Sequence, residues 1–251
     1  MPGHPRTPSA KARRPAPFAL PYTTVDVVLF TIREGALHAL LARRPRTPGE
    51  PYPGLWALPG GFVDVDRDED LLACARRKLS GKTGVRSAYF EQLGGWGGRR
   101  RDPRGWSSTH VYIALAASDG LELRSGGNAE EVAWFAVGEG GQRGRLAFDH
   151  AAILAAAIER LRAKVEYTSL PAFLLAEPFT LPQLQRAYEI ILGRALDKSS
   201  FRTRMLDAGF LAEAGSIDGE GNRPAMGYRI RDRDAPAIFP RTFRAREDSS
   251  P

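Results

Sequence analysis

Lys78 and Lys82 lie one helical turn apart in a segment with unusual punctuation. The segment opens with Leu58-Pro59-Gly60-Gly61-Phe62-Val63-Asp64 and closes with Thr83-Gly84-Val85. Between these ends Leu72, Ala75 and Leu79 recur at helical spacing, which predicts a helix over residues 68–82. Ammonium groups on that helix attract phosphates and repel a divalent cation. At ~5 Å and an effective dielectric of ~20, each disfavours a dication by roughly 6–7 kcal/mol before screening. Arg77, beside them, either joins the ligand set or pairs with an acidic neighbour. Just ahead of the helix, Asp64, Asp66, Asp68, Glu69 and Asp70 form a carboxylate cluster. Two readings apply to it: stabilisation of the helix N-terminus through the dipole, or magnesium ligation from a displaced position.

A second candidate group is Arg101-Asp102-Pro103-Arg104. Arginines on either side of a proline turn can grip phosphate oxygens bidentately, and Asp102 can instead pin Arg101 or Arg104 in place. Arg44, where the second strand closes, completes the candidate ligand set. Trp96 and Trp106 are each able to stack on adenine or to pack beside a strand. His38 is given no role, and His110 and His150, with no partner at ligand spacing, are read as structural. Cys74 is the only cysteine, so no intrachain disulfide forms, and it reads as a small packing residue.

The third group has a different character. Thr180-Leu181-Pro182-Gln183 is a capping-box pattern, and the helix it opens stops at Gly193. Asp197 caps a second helix over residues 198–206, which crowds Lys198, Ser199, Ser200, Arg202, Thr203 and Arg204 together. These side chains contact phosphates and base edges, while Phe201, Met205 and Leu206 anchor the opposite face. Helix, short turn, basic helix and hairpin is the order of a winged helix-turn-helix. Asn222 and Arg223 fall at the wing, where Arg223 either reaches DNA or is a plain surface residue.

The elements that must position these groups read as a mixed α/β domain. Strands are expected at residues 24–32, 36–42, 56–58, 88–93, 110–116 and 131–136, with Glu34-Gly35 turning the first hairpin. Residues 94–105, glycine- and arginine-rich, are expected as a loop. Asp149 is expected to cap a closing helix with Ile153, Leu154, Ile158 and Leu161 inward. The boundaries are then a disordered basic tail (1–21), a ligand-sensing domain (22–164), a winged-helix domain (165–232) and a flexible C-terminal tail (233–251). The 251 residues carry a formal charge of +7, which favours an acidic partner such as nucleic acid or a phosphorylated ligand. No run approaches the ~18 apolar residues of a membrane span and the N-terminus has no signal-peptide core, so the chain is expected in the cytoplasm, away from membranes.

Pro59-Gly60-Gly61, Leu79 and Thr83-Gly84-Val85 resemble a Nudix box. That pattern implies metal-binding glutamates on the helix. Anchored on Gly84-Val85, its Arg-Glu pair falls on Arg77 and Lys78 and its Glu-Glu pair on Gly81 and Lys82, with two extra residues between Gly61 and Arg77. The first glutamate falls on Arg67 or, allowing for the insertion, Glu69. The resemblance therefore implies a box that has lost hydrolysis. Glu91-Gln92-Leu93 with Arg101 to Gly105 is similar to the Nudix proteins that handle ADP-ribose. Phe148-Asp149-His150, Lys164 to Thr168, Phe179-Thr180-Leu181 and Tyr188-Glu189 are similar to the Nudix-related transcriptional regulators of NAD metabolism, the NrtR family. That likeness covers about residues 24–230. It implies a Nudix-like α/β/α sandwich with a mixed sheet followed by a C-terminal winged helix-turn-helix. It further implies a dimeric repressor on a palindromic double-stranded operator, with ADP-ribose or a related nucleotide as effector, no required cofactor and no metal. Its rivals are an active pyrophosphatase for ADP-ribose or a nucleotide sugar, and a regulator of sugar catabolism with another effector.

Overall fold

A computed structural model of the chain describes residues 19–85, 89–119, 121–138, 144–218, 224–240, 242 and 243. Its first strand, β1 (Tyr22–Arg33), is the spine of the molecule, and its middle is fully buried. Glu34 and Gly35 both take positive φ (50° and 73°), the backbone a tight primed turn requires. They return the chain as β2 (Ala36–Arg43), antiparallel to β1 with Phe30 opposite Ala39. Short β3 (Trp56–Ala57) pairs with β2, and β4 (Gly60–Phe62) pairs with the start of β1. β5 (Tyr89–Asp102) and β6 (Gly105–Leu115) form a long hairpin, and β6 runs parallel to β1 from Tyr22/Ser107 to Phe30/Leu115. β7 (Glu131–Ala136) completes the mixed sheet against β2.

Alternation along β1 divides the core. Val25, Val27 and Leu29 face helix α1 (Leu71–Thr83) and meet Cys74, Ala75 and Leu79. Val28 and Phe30 face the other way, toward Ile153, Leu154 and Leu161 of α2 (His150–Val165). That second core does not stop at the sandwich. It continues through a 3-10 helix (Leu170–Leu174) into α3 (Leu181–Leu192), α4 (Lys198–Asp207) and the hairpin of β8 (Leu211–Asp218) and β9 (Pro224–Ile230). No helix among the described residues is long and apolar enough to cross a membrane.

Several expectations need correction. Residues 94–102 are strand rather than loop, because β6 satisfies their backbone while many of their side chains face solvent at a sheet edge; polarity alone does not separate such an edge from a loop. The box helix starts at Leu71, because the Asp70 carboxylate accepts the Ala73 N–H at 2.7 Å and ends the extended chain there. Asp149 holds the cap position of α2 but makes no side-chain cap bond, its carboxylate being drawn to Arg101. Leu206, expected inside, is 40% exposed. Along the β8–β9 hairpin the register shifts between Glu213 and Ser216, and Gly215 (φ 83°) absorbs the shift. The expected C-terminal tail is not loose at its start: Phe239 is buried, and Phe243 packs on Phe201 and Tyr188.

Candidate ligand pocket and nucleic-acid interface

A cavity of about 390 Å³ opens where the ends of β1, β2 and β4 meet α1 and the first turn of α2. Its shape depends on Gly60, where a Cβ would fall 2.4 Å from the Val25 carbonyl oxygen and 2.1 Å from the Asp26 carboxylate, so no side chain fits. Lys78 reaches over Gly61, whose added Cβ would lie 3.3 Å from its Nζ. The far end of α1 is held by the following loop: Gly126 N–H donates to the Lys82 carbonyl and Arg124 N–H to that of Thr83. Those bonds satisfy carbonyls the helix leaves open and bring Asn128 and Ala129 to the cavity wall.

The cavity is cationic. Lys78, Lys82, Arg44 and Arg104 all line it. Burial, with Arg44 nearby, pulls the Lys82 ammonium down to about 8, and burial with Arg77 nearby lowers Lys78 as well. Arg44 is pinned beneath its own loop, with Nε donating to the Pro51 carbonyl at 2.7 Å, its guanidinium paired with Glu50 and stacked 4.8 Å from the Phe148 ring centroid. Opposite, Arg104 lies 4.9 Å over Phe62. Phe62 and Phe148 thus give the polar cavity two aromatic walls, neither expected from the sequence; both stand next to motif residues, which is the signal that would have found them.

Beneath the lysines sits a buried charge network. Arg101 is 6% exposed at its side chain and contacts Asp26 and Asp149, each at 3.0 Å. Burial favours a neutral Asp26, but His150, Arg101 and Thr109 outweigh it and hold the carboxyl at about 2. His150 Nδ1 accepts the Leu58 N–H at 2.9 Å, which leaves Nε2 facing Asp26 at 3.6 Å. The structural reading of His150 is therefore right in kind, though the ring also lines the cavity. Arg101 lines the cavity with the rest of the expected ligand set, but its guanidinium is flanked by two carboxylates. Asp102 settles on Arg104 rather than Arg101, with Nη2 at 2.7 Å. Arg77 also departs from the ligand set: it takes Asp68 bidentately (Nε–Oδ1 2.6 Å), holds that carboxyl well below its usual range, and does not line the cavity. None of the residues from Asp64 to Asp70 lines it either, and no metal-holding group of three or more His, Cys, Asp or Glu occurs among the described residues. Trp96 and Trp106 stand away from it, Trp106 being half exposed.

At the other end, the capping box of α3 is complete, with Gln183 N–H reaching Thr180 Oγ1 and the Thr180 N–H reaching Gln183 Oε1. Gly193 closes that helix in the left-handed region. Asp197 then caps α4 through the Ser200 N–H at 2.9 Å. Phe201 and Met205 are buried, so Lys198, Ser199, Ser200, Arg202 and Thr203 are left facing solvent. Arg204 is the correction here. Its guanidinium turns inward over Phe243 (4.1 Å) and Phe239 (5.3 Å), because those rings offer it an electron-rich surface. Asn222 and Arg223 lie outside the described residues.

Fold and site together define a Nudix-type α/β/α sandwich whose catalytic-helix face is cationic, joined through a shared core to a winged helix. Models of two families match along the chain: the Nudix domain at residues 22–157 and the NrtR DNA-binding winged helix domain at residues 171–230. The chain belongs to the NrtR family of Nudix-related regulators. It is 43% identical to the ADPR responsive transcriptional repressor NtrR of Acinetobacter baylyi, over 88% of this chain and 86% of that one. Shewanella oneidensis NrtR complexed with a 27mer DNA superposes with a TM-score of 0.79 at 38% identity, covering 88% of this chain and 99% of that one. The Nudix domain of the same Shewanella protein, complexed with ADP ribose, matches at 39% identity and a TM-score of 0.53, over 59% of this chain and 94% of that one.

Proposed function

We propose that the chain is an ADP-ribose-responsive transcriptional repressor of NAD metabolism genes that senses its effector without hydrolysing it. The observation that carries this reading is the pair Lys78 and Lys82. They line the cavity from the helix positions where the Nudix pattern places carboxylates, so that helix face offers a diphosphate two cations where the pattern would offer magnesium ligands, and the cavity's Glu50 and Asp102 are paired with arginines. Arg44 and Arg104 add charge at the rim, and Phe62 and Phe148 give a base or ribose an apolar surface. Lys198, Ser199, Ser200, Arg202 and Thr203 present a polar stripe for the major groove, with the β8–β9 wing beside it. Acting as a homodimer, the protein would read a palindromic operator with half-sites about one helical turn apart. Release follows if ADP-ribose binds the DNA-free form more tightly, since only differential affinity shifts the equilibrium.

The test has two arms. Genomic fragments captured by the purified protein are sequenced, and the recovered operator is titrated by fluorescence anisotropy with and without ADP-ribose. ADP-ribose is expected to weaken operator binding, and incubation with ADP-ribose, magnesium and a phosphatase is expected to release no phosphate. Robust turnover would overturn the sensing-without-cutting reading.

A further inference from the structure

Phe243 lies beyond the stretch matched by the winged-helix model, yet it is built into the inner face of α4. Its ring stacks on Phe201 at 6.1 Å between centroids and meets Tyr188 edge-on at 5.2 Å, with Arg204 over it. Its backbone is bound elsewhere. The Phe243 N–H donates to the Glu166 carbonyl at 3.3 Å, and its carbonyl accepts from Arg194, which also holds the Glu166 carboxylate at 2.9 Å. Just upstream, Phe239 N–H donates to the Tyr167 carbonyl at 2.7 Å and Ser169 N–H to that of Ala237 at 3.0 Å. Ala237, Phe239 and Phe243 therefore act as a strap between two places: α4 on one side, and residues 166–169 on the other.

Residues 166–169 are the joint where α2 ends. Glu166 is the C-terminal cap of α2, and His150, the first residue of that helix, lines the ligand cavity. A helix of this length spans about 24 Å as a stiff rod. A shift of its first turn when a ligand fills the cavity reaches the joint with little loss, and the strap is bonded to the joint by backbone. We propose that Phe243 is a positioning residue for operator binding: it ties the pose of α4 to the end of α2, so that effector occupancy at one end of α2 is read at the other. The proposal rests on the effector-controlled repressor reading above. It names an element both sites can bias, which coupling requires.

The experiment compares operator affinity with and without saturating ADP-ribose, alongside calorimetric titration of ADP-ribose in the absence of DNA. For the unaltered protein, ADP-ribose is expected to weaken operator binding about tenfold or more. Phe243→Ala should keep ADP-ribose affinity within about twofold, since the ring is remote from the cavity. Its operator affinity should instead become nearly insensitive to ADP-ribose. Phe243→Leu, which keeps apolar bulk but offers Arg204 no aromatic face, should fall between. A Phe243→Ala protein with an unaltered ADP-ribose effect on the operator overturns the proposal. If that variant binds no operator or loses its cooperative melt, Phe243→Leu and Arg204→Gln decide by the same ratio, and an unaltered ratio in both overturns it. An unaltered protein whose operator affinity ignores ADP-ribose refutes the switch itself, and with it the strap, a result distinct from failure in the variants alone.

Discussion

Lys82 and Arg202 are both cations that we assign to phosphorylated partners, and the fold places them in opposite surroundings. Lys82 lies half-buried beside Arg44, and losing water draws its ammonium down to about 8. Arg202 stands in solvent on α4, with only Phe201 and Met205 of its helix buried. A desolvated cation cluster is unfavourable until a ligand brings compensating charge, so the pocket gains most from an anion that fits inside it. A hydrated cation costs the fold little and gains by displacing counterions along a duplex. Burial thus separates the proposed sensor from the proposed reader within one basic chain.

Reversing charge on the buried side should break this contrast most severely. Lys82→Glu is expected to weaken ADP-ribose about 100-fold by calorimetry, because it removes a charged hydrogen-bond donor and adds a repelling carboxylate; operator affinity without ligand should change little. Arg202→Ala should do the converse, weakening the operator roughly 10- to 100-fold in anisotropy titrations and leaving ADP-ribose affinity intact. Unchanged operator binding would mean that α4 does not read DNA. The smallest effect concerns pH. With burial drawing the Lys82 ammonium down to about 8, it is half charged near that pH, nearly fully charged about a unit below and nearly neutral about a unit above. ADP-ribose affinity should therefore fall several-fold between about pH 7 and 9, with proton uptake on binding near pH 8.5, read by calorimetry in buffers of different ionisation enthalpy. Affinity that is flat over that range would mean the phosphates do not rest on Lys82.

Particular residues show why some of this was legible beforehand. The caps of α3 and α4 are local chemistry, set by Thr180, Gln183 and Asp197 within three residues of their partners, so the sequence predicts them and the structure contains them. The fate of Arg101 is not local. Its partners Asp26 and Asp149 come from a distant strand and a distant helix end, and only the folded sheet brings all three together. The same holds for Arg204, whose turn inward depends on where the chain goes after β9.

By itself the sequence determined the Nudix outline, the cationic substitution on its helix and the order of the winged helix. Those features rest on periodicity, caps and spacing, which act within a few residues. Tertiary structure decided which cations remain available: Arg77 and Arg204 are drawn away by Asp68 and Phe243, Arg101 lines the cavity but is held between Asp26 and Asp149, and Lys78 and Lys82 face the cavity without a salt-bridge partner among the described residues. An arginine's partner is fixed by what lies within a few ångströms in space, and for buried charges that neighbourhood is set by the packing of the whole chain.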